Sequence, residues 1–586
     1  MLALALVVVI TVAQNAPMQT VVPVRRDEPM PRVQSSAPDS LRALRTARRA
    51  QDAFEFVRKQ NLPYEFGVSG HSCDVRVGRW CVWNDESNDR QPPPESPRII
   101  EARKKLLAVL DTLASRYPGD EWIASQEVRY LIEAKRYAEA VRVAERCTAG
   151  GSRYLCHALA GIVLHDSGAV AAADAAFTTA LAAMPDSTRC QWTDISLLLD
   201  DDIGDRYAHA DCAEKERIAT AFWRLTTPLY LRDHDFRDEY LARVARTEMQ
   251  MNSRLPMGSP TEWAFRETAL RYGYDTWFVR DYPPAGSMDT PIAGYREGGS
   301  GFNFVPDYAA FASPARLRMG DWDLRLRTAR ALYGPPYARH FEPLRQGQIS
   351  LFRRGDSALV VATYDVSDDT LFAHGSLEAG VFSLPISDST SIGEPHGTTT
   401  PNAPRRGVLM TTAPMSAMVV SVELLDARTR SAARARVGID PTMNTGRTVS
   451  DLLLFAPPSS DSLPRRLESA LSLALYSDHI SRDQLLGLYW ETNGVRSQGE
   501  NFAVSISIER IKEGWMRRTA ERIHLKTPFS PMKLQWTEMP GGNGISSRSV
   551  ALNLSQLELG RYEITLTVTP GDGLPLVAKR EVTLDR

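Results

Sequence analysis

Residues 168–185, GAVAAADAAFTTALAAMP, set nine alanines, one ring and one carboxylate between a glycine and a proline. Ala173, Phe177 and Ala180 recur at three- and four-residue spacing, the period of a helix with one buried stripe. Gly168 ends the preceding helix and Pro185 closes this one. A buried stripe of alanine lets a neighbouring helix come close, so the stretch predicts a tight helix pair. Far downstream the period changes. NFAVSISIERI, residues 501–511, puts Phe502, Val504, Ile506 and Ile508 on one face with Ser505 and Ser507 on the other. GRYEITLTVT, residues 560–569, repeats the alternation with Tyr562, Ile564, Leu566 and Val568. Such alternation belongs to antiparallel sheets with one buried and one wet face. The expectation is an α+β multidomain chain: an N-terminal α-helical solenoid, an irregular helical middle region and C-terminal antiparallel β-sandwiches.

At 586 residues the chain holds roughly three or four domains. Its 69 basic and 71 acidic residues give a formal charge of −2, which provides no general attraction to nucleic acid or anionic membrane; no nucleic-acid partner is expected. The opening MLALALVVVITVAQNAPMQT reads as the core and cleavage region of an export signal, cut at Ala13 or Ala16. The run is too short for a transmembrane span, and its other reading is a buried strand. Cys73, Cys81, Cys147, Cys156, Cys190 and Cys212 agree with an oxidising, periplasmic or secreted location. Neighbour pairing is the economical reading of these disulfide candidates, although spacing does not choose among the connectivities. No CxxC occurs and His71 and His157 form no ligand cluster, so neither metal nor cofactor is expected.

The composition shifts along the chain divide it into a signal peptide at 1–16; a lead, helix and cysteine hairpin at 17–97; helical repeats at 98–188; a helical middle region at 189–345; a β-sandwich at 346–445; a connector at 446–485; and an immunoglobulin-like β-sandwich at 486–586. Within the second segment, SLRALRTARRAQDAFEFVRK predicts a basic amphipathic helix with Leu41, Leu44, Phe54 and Val57 as its apolar positions. It is read as a domain cap with solvated arginines, the other reading being a membrane-surface or anion-binding helix.

Gly161, Ala173 and Ala180 at small positions, Leu164 and Phe177 at large ones and Pro185 at the end resemble a tetratricopeptide repeat. WIASQEVRYLIEAKRYAEAVRVAERC supplies a second copy, with Tyr137 and Ala140 offset by thirty-three residues from Val170 and Ala173. The resemblance implies a concave peptide groove presenting Trp122, Ser125, Arg129, Leu155, Ala158, Ile162 and His165. The other reading packs these residues against the protein's own next domain. Phe222, Trp223, Thr227 and Pro228, then Glu239, Tyr240, Arg243 and Val244, then Arg271, Tyr272 and Gly273 are similar to the region around the GWxTD motif of exported bacterial proteins. Here Tyr274 stands where that motif has its tryptophan and Trp277 where it has its aspartate. Those proteins often join tetratricopeptide repeats to a β-rich C-terminus, and the family has no established activity to lend.

Neither G-x-S-x-G, H-E-x-x-H nor a P-loop occurs, so three fixed geometries of hydrolysis and phosphate binding are missing. Asp200, Asp201, Asp202 and Asp205 lack calcium-loop spacing and read as a solvated acidic loop. His234 and Asp238 have the spacing of a held imidazole, but read as a solvated helix face. Arg354, Gly355 and Asp356 read as a turn rather than an adhesive tripeptide. Trp122, Trp263, Trp277, Trp322 and Trp490 could stack on sugars, but core is the commoner fate of such rings. The expected function is an exported, non-enzymatic scaffold or interaction protein of the bacterial cell envelope with a protein or peptide partner. The alternatives are a hydrolase with its site in 189–345 and a carbohydrate-binding β-sandwich protein.

Overall fold

The computed structural model describes residues 38–65, 75–77, 80–82, 91–148, 152–199, 201–227, 235–251, 253–257, 263–282, 290–295, 308–317, 340–345, 347–373, 375–388, 391–441, 447–494, 501–511, 532–539, 544–571 and 573–586. The leader, Asp200, His71, His234, Trp322 and the pairing of Cys73 with Cys81 lie outside these residues. The fold is α+β, with helices in the amino half and sheets in the carboxyl half.

The helices are α1 (Pro38–Asn61), α2 (Pro97–Arg116), α3 (Glu121–Glu133), α4 (Tyr137–Cys147), α5 (Arg153–Asp166), α6 (Val170–Ala183), α7 (Asp186–Trp192), α8 (Asp201–His209), α9 (Cys212–Thr226), α10 (Asp235–Met251) and α11 (Trp263–Tyr272). From α1 to α6 each packs on the next. Tight spacing shows at Gly161, where an added Cβ would lie 2.7 Å from the Phe177 ring. The turns between helices repeat as well. Lys135 and Gly168 both take positive φ, at 57° and 79°. Arg136 N–H donates to Leu131 O, and Ala169 N–H to Leu164 O, so one left-handed helix ending recurs with the period of the sequence pattern. Cys147–Cys156 ties α4 to α5, and Cys190–Cys212 ties α7 to α9.

Three expectations change here. The buried stripe of α1 is Ala43, Ala47, Gln51, Phe54, Glu55 and Arg58, while Leu41 is 48% exposed: the alanines and Phe54 join the apolar cluster of the helices, and Gln51 and Arg58 meet Gln126 and Glu133 of α3. The stretch expected to be an acidic loop is helical from Asp201 onward, as the start of α8. Asp238 is fully buried rather than solvated, because α10 packs against α3, α5 and α6.

Strands β1 (Val75–Val77) and β2 (Trp80–Val82), then β3 (Trp277–Arg280) and β4 (Ile292–Tyr295), form two small antiparallel pairs. Helix α12 (Tyr308–Ala312) sets Phe311 parallel to the ring of Phe222 on α9. The first β unit has one sheet in the order β10 (His396–Thr400), β8 (Leu377–Asp388), β12 (Met418–Asp426), β13 (Ser431–Ile439), β5 (His340–Pro343), with β9 (Ser391–Ile392) on β8. A second sheet runs β11 (Arg406–Pro414), β7 (Ser357–Asp365), β6 (Ile349–Arg354). Leu351, Val360 and Leu409 of the second share one apolar cluster with Val381, Val420 and Leu424 of the first. The polar stretch SDSTSIGEPHGTTTPNAPRRG, residues 387–407, reads by composition as a loop but contains β9 and β10, because edge pairing needs backbone groups and not apolar side chains.

In the second unit β17 (Leu485–Asn493) pairs with β14 (Thr448–Val449), β15 (Leu453–Phe455) and β20 (Ile545–Asn553). The opposing order is β16 (His479–Ser481), β22 (Leu576–Asp585), β21 (Gly560–Thr569), β18 (Phe502–Arg510), β19 (Met532–Glu538). The alternating residues Phe502, Val504, Ile506 and Ile508 point into their common cluster with Trp490 and Leu488. Residues 446–485 thus supply β14, β15, β16 and the short α13 (Leu467–Leu471) to this unit. The two β units meet through Phe352, Val361, Phe455 and Tyr489, and Gln348 donates to Leu454 O at 2.8 Å and accepts from Leu454 N–H at 2.9 Å.

The halves of the molecule join at the end of α9. Arg436 of β13 donates to Leu225 O and to Thr227 O at 2.7 Å, and Arg434 to Thr226 O at 3.2 Å. These guanidinia occupy carbonyls that the helix leaves without intrahelical partners. Glu423 balances Arg436 at 2.9 Å, and Ser421 donates to the same carboxylate at 2.7 Å, all within the interior.

Gly161→Val is expected to lower stability by about 1–3 kcal/mol in urea denaturation, with Phe177→Leu recovering part of it by withdrawing the ring. Arg436→Ala strands the Glu423 carboxylate and is expected to cost about 3–5 kcal/mol, whereas Arg436→Met with Glu423→Leu regains most of that loss in the same measurement.

Candidate functional site

The face that repeat geometry assigns to a peptide is formed by α3 and α5, and the protein's own α10 packs on both. Ile162 and Ala158 are fully buried there, and Arg129 is buried too. Arg129 donates through Nη1 to Ser253 Oγ at 3.0 Å and to Arg254 O at 2.9 Å, just beyond α10. Its Nε reaches Glu133 at 3.2 Å and its Nη2 reaches Glu55 of α1 at 3.4 Å. One planar guanidinium therefore fastens three elements, a role that suits its fixed fork of donors.

Around it lies a network drawn from distant parts of the chain. Gln126 donates to Met249 O at 3.0 Å and accepts from Gln51 at 2.8 Å, while Arg254 N–H donates to Gln51 Oε1 at 3.0 Å. Tyr130 Oη donates to Glu55 at 2.8 Å, and Arg58 spans Glu55 at 3.3 Å and Glu133 at 3.1 Å. Burial lifts the Glu55 carboxyl above its ordinary value against the pull of Arg58 and Arg129. Burial opposes ionisation of Glu133 as well, but Arg58 and Arg129 outweigh it and hold that carboxyl below its ordinary value.

His165 sits at the other end of the groove, with Nε2 3.5 Å from Glu239 of α10. Neighbouring Asp166 takes the Arg246 guanidinium of α10 and accepts from Tyr274 Oη at 3.2 Å. Burial works against the Asp166 charge, yet Arg246 and His165 hold its carboxyl below the ordinary range. Arg246 also lies 3.5 Å over the Tyr274 ring, so Tyr274 is docked on the last turn of α5. Trp122, at the start of α3, is partly buried with Arg48 5.4 Å over its ring. Arg129 and Trp122 thus belong to the α1–α3 end, and Ile162 and His165 lie on α5.

The other sequence candidates are dispersed. Gly355 takes φ +64° in the β6–β7 turn, and Arg354 is engaged by Glu491 at 3.2 Å. Trp490 is buried, Trp277 stacks on Tyr295 at 4.0 Å and Trp263 is 59% exposed. Among the described residues no group of three His, Cys, Asp or Glu side chains is placed to hold a metal ion, and no helix is long and apolar enough to cross a membrane. Sequence reasoning missed Gln51, Glu55 and Arg58 as partners of the groove. Their signal was a polar residue every three or four positions along the alanine stripe of α1.

No family model matches the chain, and no curated protein sequence matches it. Among solved structures, a red sea bream transglutaminase is 10% identical over 41% of this chain and 31% of its own, with a TM-score of 0.13. A Bacteroides uniformis β-glucuronidase 2 is 8% identical over 48% and 31%, at 0.15. A Kluyveromyces marxianus β-glucosidase is 6% identical over 39% and 45%, at 0.13. The chain spans less than half the length of each, and at these scores the likeness carries neither fold nor activity.

A titrating group adjoins the network. Burial pushes the Glu127 carboxyl up to about 7, against Arg146 3.4 Å away. A carboxyl raised in the folded state binds more protons there than in the unfolded chain. Its contribution is therefore full below the ordinary carboxylate range and is lost as pH climbs toward 7. Glu127→Gln is expected to gain stability relative to the parent at about pH 8 compared with about pH 5, read as urea midpoints at both.

Proposed function

We propose that this chain is an exported, non-enzymatic scaffold of the bacterial cell envelope, in which tetratricopeptide-like repeats and a GWxTD-like segment carry two β-sandwiches. The observation that carries the reading is how the helical half uses its charged side chains: Glu55, Arg58, Arg129 and Glu133 bind one another across helices and leave α1, α3 and the end of α10 clamped together. Chemistry that turns over a substrate needs charged groups aimed at a space; these are aimed at each other.

The repeat reading is supported by the left-handed turn at Lys135 and its counterpart at Gly168, and the GWxTD-like reading by the docking of Tyr274 against Asp166. The sandwich reading is supported by clusters that draw on both sheets of each β unit. Export is supported by two disulfides between helices, a form that persists in oxidising compartments. With α10 packed on α3 and α5, the protein partner of this scaffold docks on an outer surface.

The test has two arms in one bacterial host. A reporter active only outside the cytoplasm, fused after residue 16, is expected to be active with the leader and silent without it. Photo-crosslinkers placed singly on exposed positions of α2 and of β19 are expected to trap the same envelope protein from adjacent positions. A silent reporter, or a defined substrate turned over with no protein trapped, would overturn the proposal.

A further inference from the structure

Helix α1 shows the solvent a stripe unlike the one it buries. Arg42, Arg45, Arg49, Ala53, Phe56 and Gln60 follow one another at three- and four-residue spacing, and all are exposed. Phe56, in the line of arginines, is 66% exposed. Of the acidic residues nearby, Asp39 is taken by Arg42 and Asp52 by Arg254. Among the described residues no carboxylate pairs with Arg45, Arg49 or Lys59. The buried stripe is fixed by Gln51, Glu55 and Arg58, so this face is held in place rather than free to roll.

We propose that this face of α1 docks on an anionic membrane surface, with lipid phosphates at Arg45, Arg49 and Lys59 and the Phe56 ring at the boundary of the acyl chains. Charge complementarity selects the occupant. The chain as a whole is slightly acidic, so attraction has to come from a local surplus of cations, and here three exposed cationic side chains (Arg45, Arg49 and Lys59) run along one helix without a paired carboxylate among the described residues. Arg45 to Lys59 covers about 21 Å of helix axis, enough to meet several headgroups at once. The aromatic ring is the second half of the argument. A solvated charged face gains nothing from an exposed phenylalanine, whereas an interfacial helix buries such a ring beside its cations. A DNA duplex would use the cations alone. The proposal goes beyond the scaffold reading and does not rest on export, because it is tested on purified chain.

The experiment is vesicle co-sedimentation of the full chain with phosphatidylcholine alone and with about 30% phosphatidylglycerol, at salt near 0.05 M and near 0.5 M. Binding to the neutral vesicles reports residues 1–16, which every version shares. The anionic vesicles are expected to bind on the order of tenfold more tightly at low salt and to lose that margin at high salt. Arg45→Gln with Arg49→Gln is expected to remove most of the margin, and Phe56→Ser to reduce it while leaving the salt dependence. Lys533→Gln, on β19, is expected to leave it intact. Equal binding to both vesicles, an unchanged margin in the arginine variant, or a short DNA duplex bound through the same arginines while phosphatidylglycerol is ignored would each overturn the proposal.

Discussion

Two carboxylates, Glu55 and Glu133, lie inside the helical half, and their positions are tenable only when Arg58 and Arg129 are there with them. Removing ions from water is costly, and the cost is offset only by close partners and satisfied hydrogen bonds. Those partners come from α1, α3 and the turn after α10, elements far apart in the chain. The network is therefore a condition on assembly: the face formed by α3 and α5 is complete when the chain's own α10 covers it. Local helix propensity makes the helices, but this condition sets which faces meet.

The same logic operates at the junction of the halves. Arg436 and Glu423 neutralise each other beneath the sheet while Arg436 and Arg434 take up the terminal carbonyls of α9. A helix end that would otherwise need water or a glycine turn is finished by side chains of another domain. Between the β units, Gln348 does comparable work by mimicking a strand partner for Leu454. The molecule is thus joined at each border by polar groups that have no satisfactory alternative once buried, a mode of joining that favours one arrangement over sliding ones.

Much of the architecture was legible because it is local. The spacing of Ala173, Phe177 and Ala180 announced α6, and the alternation from Phe502 to Ile508 announced β18. The hairpin around Gly355 announced itself by a turn glycine between apolar runs. What stayed hidden depends on contacts between distant residues. β10 is polar along its length and is a strand because β8 offers it backbone groups. β5 is drawn to β13 in parallel, a pairing no neighbouring sequence specifies. At the candidate groove the residues Arg129 and Ile162 were legible as an inward face, but whether a peptide or the chain itself would cover them was not. Asp238 shows why: its spacing from its neighbours is the same whether α10 faces water or the interior.

Helix α9 has one end covalently secured and the other electrostatically secured. Cys212, at its first residue, is bonded to Cys190, and its last carbonyls are gripped by β13. It is a strut with two fixed ends. A pull on the carboxyl half travels along its axis and arrives at a sulfur–sulfur bond that the folded chain cannot stretch. The guanidinium grip does not carry that line alone, because the apolar cluster of the helical half takes in Phe341, Phe382, Leu384 and Val419 of the first β unit beside it.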